Sequence, residues 1–355
     1  MLRRLRLTFI IRFSKRKVQL KKKKELSSFR VVISAVAGNA LITLAKFIGW
    51  LMTSSPSMLA ESIHSLADTA NQVLLFIGLK QSQTGPSREY PWGRGAARYM
   101  WNLISAVGIF FLGFGVTTYH GIKSLFHLDD LSHHSIGLVP IVILIISFFL
   151  EGYVFLMALR VVHRIKGTMG FFQYIRKGDD PTAVAVLMED GVAVLGVLLA
   201  LIALLLSKIY ETSLPDAIIS IVIGCLMGVM ALILAYSNGR LLIGASAEAI
   251  TEQQIKEFLE SLPSVEKVIS IKTEILAPKQ LRLTVEVEFH GESLVDRQQI
   301  AKDAEKIRSG EEDPVPILVD TAERMVRRVG KEINEIEKKL MQQFPQLKII
   351  ELEVN

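Results

Sequence analysis

Six long apolar stretches dominate this chain, and they constrain its backbone more than any other feature. Crossing the hydrocarbon core of a bilayer takes ~20 helical residues, and within that core each peptide group must find its hydrogen-bond partner inside the protein. The stretches run approximately over Val31–Met52, Met58–Leu79, Met100–Tyr119, Ile136–Leu159, Ala183–Leu206 and Ala217–Tyr236. Each is long enough to span, so the sequence predicts an all-α bundle of six transmembrane helices. The second and fifth are the least purely apolar. Short connections at Thr53–Ser57 and around Lys208–Pro215, with Pro56 and Pro215 as breakers, predict tight turns on one side.

Charge orients the bundle. Lys80, Arg88, Arg94 and Arg98 lie between spans two and three, and Arg160, Arg164, Lys166, Arg176 and Lys177 between spans four and five. The opposite face carries only Lys123 and Lys208. Together with the basic N-terminus, this places both chain ends in the cytoplasm under the positive-inside rule. From Ala245 onward there are 16 Lys/Arg against 22 Asp/Glu, which leaves 25 against 13 before it. A basic surplus beside apolar spans indicates lipid topology rather than a nucleic-acid partner. The single cysteine, Cys225, excludes both a disulfide framework and a thiolate metal cage. Met1–Leu20 is rich in Arg and Lys and free of acids, a pattern shared by a cytoplasmic anchor and a mitochondrial transit peptide. The expected organisation is a basic cytoplasmic tail over 1–29, a six-helix transmembrane domain over 30–244 and a cytoplasmic domain over 245–355.

After Tyr236 the pattern becomes that of a small soluble domain. Thr251–Leu262 reads as an amphipathic helix with Thr251 as N-cap. Val265–Ile275 reads as a strand, and Leu281, Leu283, Val285, Val287 and Phe289 alternate with polar residues as a half-buried strand does. A polar stretch through Gly310–Pro316 precedes a long helix whose apolar positions Val326, Val329, Ile333, Ile336 and Leu340 step by three and four. Leu347–Val354 is a last strand. The order αββαβ predicts a ferredoxin-like α/β domain with helices on one face of its sheet and a long helical insertion.

Chemistry is expected where ionisable groups lie inside spans. An Asp at mid-bilayer costs about 3 kcal/mol on the insertion scale, so such a residue marks a functional position. The second span holds Glu61, His64 and Asp68, followed by Asn71, all on one helical face at spacings of three and four. An imidazole nitrogen and a carboxylate oxygen one turn apart can both reach one borderline-soft cation. The fifth span offers Glu189 and Asp190, about 100° apart around the helix, so only one of them can point squarely at a site shared with span two; Asp190 is the expected one. The alternative reading of these residues is an interhelical hydrogen-bond cluster that only holds the bundle together. Lys46 in span one and Glu151 in span four are expected to pair with neighbouring helices or to snorkel. In the outer loop, His127, Asp129, Asp130, His133 and His134 form a solvated cluster or a weak collecting site.

The stretch Ala60-Glu61-Ser62-Ile63-His64-Ser65-Leu66-Ala67-Asp68 resembles the second-span signature of the cation diffusion facilitator family. Asp190 followed by Gly196-Val197 is similar to the family's fifth-span signature, and Pro215-Asp216 opens the sixth span as theirs often does. Within the family the chain most resembles the zinc transporter nine subgroup, through Ile63-His64-Ser65-Leu66, Tyr119-His120-Gly121, Asp180-Pro181 and Glu189-Asp190. The resemblance implies a homodimeric secondary transporter, not an enzyme, that exports Zn²⁺ or a similar divalent ion in exchange for protons and carries no permanent cofactor. It also implies that His64, Asp68 and Asp190 hold the ion. The family's fourth ligand position, four residues before Asp190, is Val186 here, and Glu189, Asn71, Glu61 or water is left to fill it. In the family that position is usually His or Asp, and loss of an imidazole nitrogen tilts the expectation toward harder ions such as Mn²⁺; a manganese or iron(II) exporter at the same site is the rival within transport. Arg94 stands where many members have a second metal-binding histidine, and His290 is the only histidine of the tail domain. Regulatory metal sensing is therefore not expected.

Ligand protonation supplies a mechanism. Metal requires neutral His64 and ionised Asp68 and Asp190, so metal and protons compete. Alternating exposure of one such site converts that competition into antiport. A bacterial-type inner membrane and a mitochondrial or other organelle membrane both fit. A non-transporting membrane scaffold with a partner-binding tail is the rival from another class. An intramembrane hydrolase ranks last among the readings, since no nucleophile accompanies the His/Asp pair and no His-Glu-x-x-His helix occurs.

Overall fold

A computed structural model describes residues 36–126, 138–167, 169–177, 181–310 and 313–355. The basic tail over 1–29 and the outer-loop cluster of His127, Asp129, Asp130, His133 and His134 lie outside these. The chain divides into two compact units between Gly239 and Arg240.

The first unit is helical. Its elements are α1 (Val36–Thr53), α2 (Pro56–Ser82), α3 (Ala97–Leu125), α4 (Leu138–Ile165), the short α5 (Phe171–Lys177), α6 (Pro181–Tyr210) and α7 (Leu214–Ile243). Among the described residues five helices, α1, α3, α4, α6 and α7, are long and apolar enough to cross a membrane. The 27-residue α2 is long enough to span, but Glu61, His64, Asp68 and Lys80 interrupt its apolar character. Several helices run longer than their apolar cores because their polar ends continue beyond the hydrocarbon thickness. The middle of α3, Ile109–Val116, is wound as a π-helix. Its Phe- and Gly-rich sequence gives no periodic signal of that change.

Local sequence explains the turn that launches α2. Ser55 caps the helix, its Oγ accepting from the Met58 N–H at 3.2 Å, and Pro56 occupies the first turn, where no amide donor is needed. The Ser57 N–H donates to Asp216 Oδ1 at 3.2 Å, which fixes the start of α2 against the start of α7. The bundle core is built from Met58, Leu144, Val197, Ala200, Leu204, Ile223 and Met227, all buried. Helices α3 and α7 cross closely: a Cβ on Gly121 would stand 2.7 Å from Ile221 Cγ1, and one on Gly224 2.5 Å from Thr118 Oγ1. Small residues at such crossings supply the van der Waals contact that drives helix association in lipid. Around this core the outward faces are apolar, with Leu41, Phe111, Phe149 and Leu150 exposed. A surface of that kind is suited to hydrocarbon rather than water.

The second unit contains α8 (Ala249–Glu260), β1 (Val265–Ala277), β2 (Gln280–Phe289), α9 (Arg297–Ser309), α10 (Pro314–Gln343) and β3 (Leu347–Val354). The sheet order is β1-β2-β3, with β1 and β2 antiparallel and β2 and β3 parallel. A parallel neighbour requires a crossover, and α9 with α10 provides it. Strand β2 alternates as its sequence demands: Leu283, Val285 and Val287 are fully buried. With Ile255 and Leu259 of α8 and Ile336 and Leu340 of α10, they make the buried apolar core of this unit. Burying each such side chain contributes about 1.5–3 kcal/mol.

One boundary differs from expectation. Helix α8 begins at Ala249 with Glu248 as N-cap residue, two residues before Thr251. The first turn is anchored instead through Glu252, whose Oε1 accepts from the Thr273 hydroxyl of β1 at 2.5 Å. A tertiary hydrogen bond thus overrides the local capping signal. Helix α9 ends on Gly310 at φ 72°, the left-handed position that glycine reaches without strain. Arg324 of α10 pairs with Asp303, which Gln299 and Thr321 also hydrogen-bond, and this joins α9 to α10. The N-terminal half of α10 presents Val315, Leu318, Val319 and Val326 to the outside.

Candidate metal site between two spans

Helices α2 and α6 pack against each other in the first unit. Two contacts show their relative direction. Asn71 donates through Nδ2 to Glu189 Oε2, while Glu61 Oε1 lies against Gly196, where any Cβ would fall under 3.0 Å from it. Advancing along α2 from 61 to 71 thus means retreating along α6 from 196 to 189, so the two helices are antiparallel.

On the face of α2 between those contacts lie His64 and Asp68. His64 is fully buried, and its Nε2 stands 3.3 Å from Asp68 Oδ2, within ion-pair reach but not aligned as a hydrogen bond. The imidazole Nδ1, Asp68 Oδ1 and Asp190 Oδ2 are buried atoms with no hydrogen-bond partner. Leaving such atoms unsatisfied inside a low-dielectric bundle is costly, so each one requires an explanation. Asp68 is within electrostatic reach of both Glu189 and Asp190 of α6, as well as of Glu151 and Lys46. The donor set is one imidazole and carboxylates, which suits a divalent cation of intermediate softness. Among the described residues no group of three His, Cys, Asp or Glu side chains is drawn close enough to hold a metal ion. Two elements are near each other, but the ligands are not gathered to metal-bonding distance.

The adjacent acids of α6 divide as their ~100° offset requires. Glu189 is the one bonded across to α2, through Asn71, and both residues are buried. Asp190 keeps a buried oxygen without a partner. Val186 lies one turn before Asp190 on α6 and is half-buried. Glu61 is drawn away from His64 and Asp68: its Oε2 accepts from Lys46 Nζ at 2.8 Å, and the same ammonium donates to Glu151 Oε1 at 2.7 Å. Lys46 and Glu61 are fully buried and Glu151 nearly so. This triad ties α1, α2 and α4 together. Pairing, rather than snorkelling, satisfies Lys46 because three donors meet two carboxylates at depth. Arg94 lies outside the pair of helices, at 4.1 Å over the Tyr90 ring. His290 is in the second unit, 3.5 Å from Glu266.

The triad and the Asn71–Glu189 bond were not legible in the sequence, because their partners are 15, 105 and 118 residues apart. A buried lysine in an apolar span was the available signal, since it demands an acid at the same depth.

Comparison with known proteins bears on what this bundle is. Residues 32–243 match the family model described as the cation efflux transmembrane domain. The chain is 35% identical over 334 residues to the proton-coupled zinc antiporter SLC30A9, mitochondrial, of Xenopus laevis, covering 92% of this chain and 59% of that protein. It is 32% identical over 339 residues to metal tolerance protein C4 of Arabidopsis thaliana, covering 92% of this chain and 74% of the other. The cation-efflux pump FieF of Shewanella oneidensis is 24% identical over 257 residues, or 72% of this chain and 79% of that pump. The chain therefore spans about three-fifths of the length of the SLC30A9 relatives it matches. The resemblance to the zinc transporter nine subgroup agrees with these identities. On the matched domain and its apolar helices, this chain is an integral membrane protein of the cation efflux, or cation diffusion facilitator, family.

Proposed function

We propose that this protein is a secondary transporter that exports a divalent cation, Zn²⁺, in exchange for protons, and that His64, Asp68 and Asp190 hold the ion in transit. The observation that carries the reading is that antiparallel, packed helices α2 and α6 each bear buried ligand atoms without a hydrogen-bond partner, His64 Nδ1 and Asp68 Oδ1 on one and Asp190 Oδ2 on the other. The names of the relatives, a proton-coupled zinc antiporter and a cation-efflux pump, support the same chemistry. Glu189, which accepts a hydrogen bond from Asn71, would complete the ligand set in lieu of the ligating side chain that Val186 does not supply. Glu61 is committed to Lys46 and stays outside the set.

Transport needs the ligands to close on the ion and then release it. Metal and protons compete for the imidazole and the carboxylates. The bundle switches between two packings, each favoured by one ligand state. The cation is cargo, so the site must bind weakly enough to let it go. Because Val186 brings no second imidazole, Mn²⁺ or Fe²⁺ at the same site is the second reading.

The proposed organisation is a basic tail over 1–29, six spans with α2 as the least apolar over 30–244, and a ferredoxin-like cytoplasmic domain over 245–355. A homodimer is part of the proposal: Val315, Val319, Ala322 and Val326 continue at coiled-coil spacing on the exposed face of α10. An organelle membrane, mitochondrial by analogy with the SLC30A9 name, is the proposed location.

Proteoliposomes with an imposed pH gradient test the function. Zinc uptake driven by the gradient is expected in the wild type and should be lost in Asp68→Ala/Asp190→Ala. Flux that survives the double substitution rules out the site, and no flux of zinc, manganese or iron(II) in the wild type favours the scaffold.

A further inference from the structure

Beside the proposed ligands the membrane unit holds a second convergence of charge. Glu61 and Glu151, on α2 and α4, direct one oxygen each at a common point, and the ammonium of Lys46 from α1 occupies it at 2.8 and 2.7 Å. The other oxygens, Glu61 Oε1 and Glu151 Oε2, are buried without hydrogen-bond partners. Two carboxylates sharing one cation between neighbouring helices is the arrangement that a hard or intermediate divalent ion would also accept, through oxygen ligands. Here the cation is part of the chain. Lys46 is fully buried, and its arm cannot withdraw to water without dragging a charge through lipid. It also lies close enough for its charge to act on His64.

We propose that Lys46 is a specificity-determining residue: a tethered monovalent cation that closes the Glu61/Glu151 position to divalent ions, so that the protein carries one metal ion instead of two. This inference rests on the reading of His64, Asp68 and Asp190 as the transport site. The physical reason lies in release. Removing the ammonium leaves two buried carboxylates uncompensated, and a divalent ion captured there would bind beside the transported one. A carrier with a second, trapping site one turn from the first would load readily and unload slowly.

The role differs from that of a brace between helices in what it changes. A brace alters stability; a tethered cation sets the number of ions bound. Equilibrium dialysis of the full chain in detergent against Co²⁺, with the visible absorption of the bound ion recorded, reads that number. The expected counts are one ion per chain in the wild type, two in Lys46→Met, none in Asp68→Ala/Asp190→Ala and one in the triple variant that combines them. Adding Glu61→Gln and Glu151→Gln to Lys46→Met returns the count to one. Unchanged binding in monodisperse Lys46→Met overturns the proposal. Glu61→Gln alone keeps the decision open to experiment even if Lys46→Met does not fold: loss of the wild-type ion, or a changed Co²⁺ spectrum, makes Glu61 a ligand and overturns it. Retention of the ion by Asp68→Ala/Asp190→Ala would instead refute the transport site, a result separate from the effect of Lys46.

Discussion

Substituting Gly196 by alanine tests how tightly α2 and α6 are registered around the buried charges. A Cβ built at Gly196 falls under 3.0 Å from Glu61 Oε1 and 3.3 Å from Glu61 Cδ, with Ile223 Cγ2 at 3.8 Å behind it. A clash with the end of a flexible side chain is ordinarily cheap, because the chain swings aside. Glu61 has no such freedom: it is fully buried and its other oxygen is held by Lys46 at 2.8 Å. Relief must come from parting the helices or from loosening the ion pair. Overpacking of this kind costs about 1–3 kcal/mol, and giving up part of a buried pair moves the value to the upper end. Thermal unfolding in detergent of wild type, Gly196→Ala, Glu61→Ala and the double variant measures it as a cycle. Truncating Glu61 makes room for the methyl group, so Gly196→Ala should cost at least about 1 kcal/mol less in that background. Equal costs in both backgrounds would refute the geometry, since the clash would then lie elsewhere.

Asn71→Ala removes the donor to Glu189 and leaves a buried carboxylate unpaired, so stability should fall by about 1–3 kcal/mol, read by the same unfolding assay. Val186→His supplies an imidazole one turn before Asp190, and competition flux assays should show zinc gaining on manganese. In the second unit, hydrogen bonding and charge from Arg282, with Thr284, hold the Glu351 carboxyl below the usual carboxylate range. A depressed carboxylate contributes stability above its unfolded pKa and loses it as pH falls through the folded one. Acid unfolding of the 240–355 unit, followed by circular dichroism, should therefore be steeper below about pH 4 in the wild type than in Glu351→Gln. Glu in place of Val319 and Val326 should turn a dimer into a monomer by light scattering, while unchanged mass would reject α10 as the seam.

Legibility in the sequence followed the range of the interaction. Alternation in Leu281–Phe289 and the three-four stepping of Val326–Leu340 are local, and both appear as β2 and α10. The Ser55-Pro56 start of α2 is equally local. Ionisable residues inside spans, each expensive in hydrocarbon, pointed to α2 and α6, and these two helices do pack against each other. Partnership was the illegible part. No spacing rule reports that Lys46 meets Glu61 and Glu151, or that Glu189 rather than Asp190 reaches Asn71, since those pairings arise from packing of distant helices. Thr251 failed as a cap for the same reason: Thr273, distant in sequence, holds the first turn through Glu252.

X-ray absorption of the zinc-loaded protein addresses the proposed site most directly. Joint ligation by α2 and α6 requires a shell of one nitrogen with oxygens at about 2.0–2.2 Å, with the nitrogen lost in His64→Ala and the shell disrupted in Asp68→Ala and in Asp190→Ala. A shell identical in all three variants and the wild type would place the ion elsewhere and contradict the account.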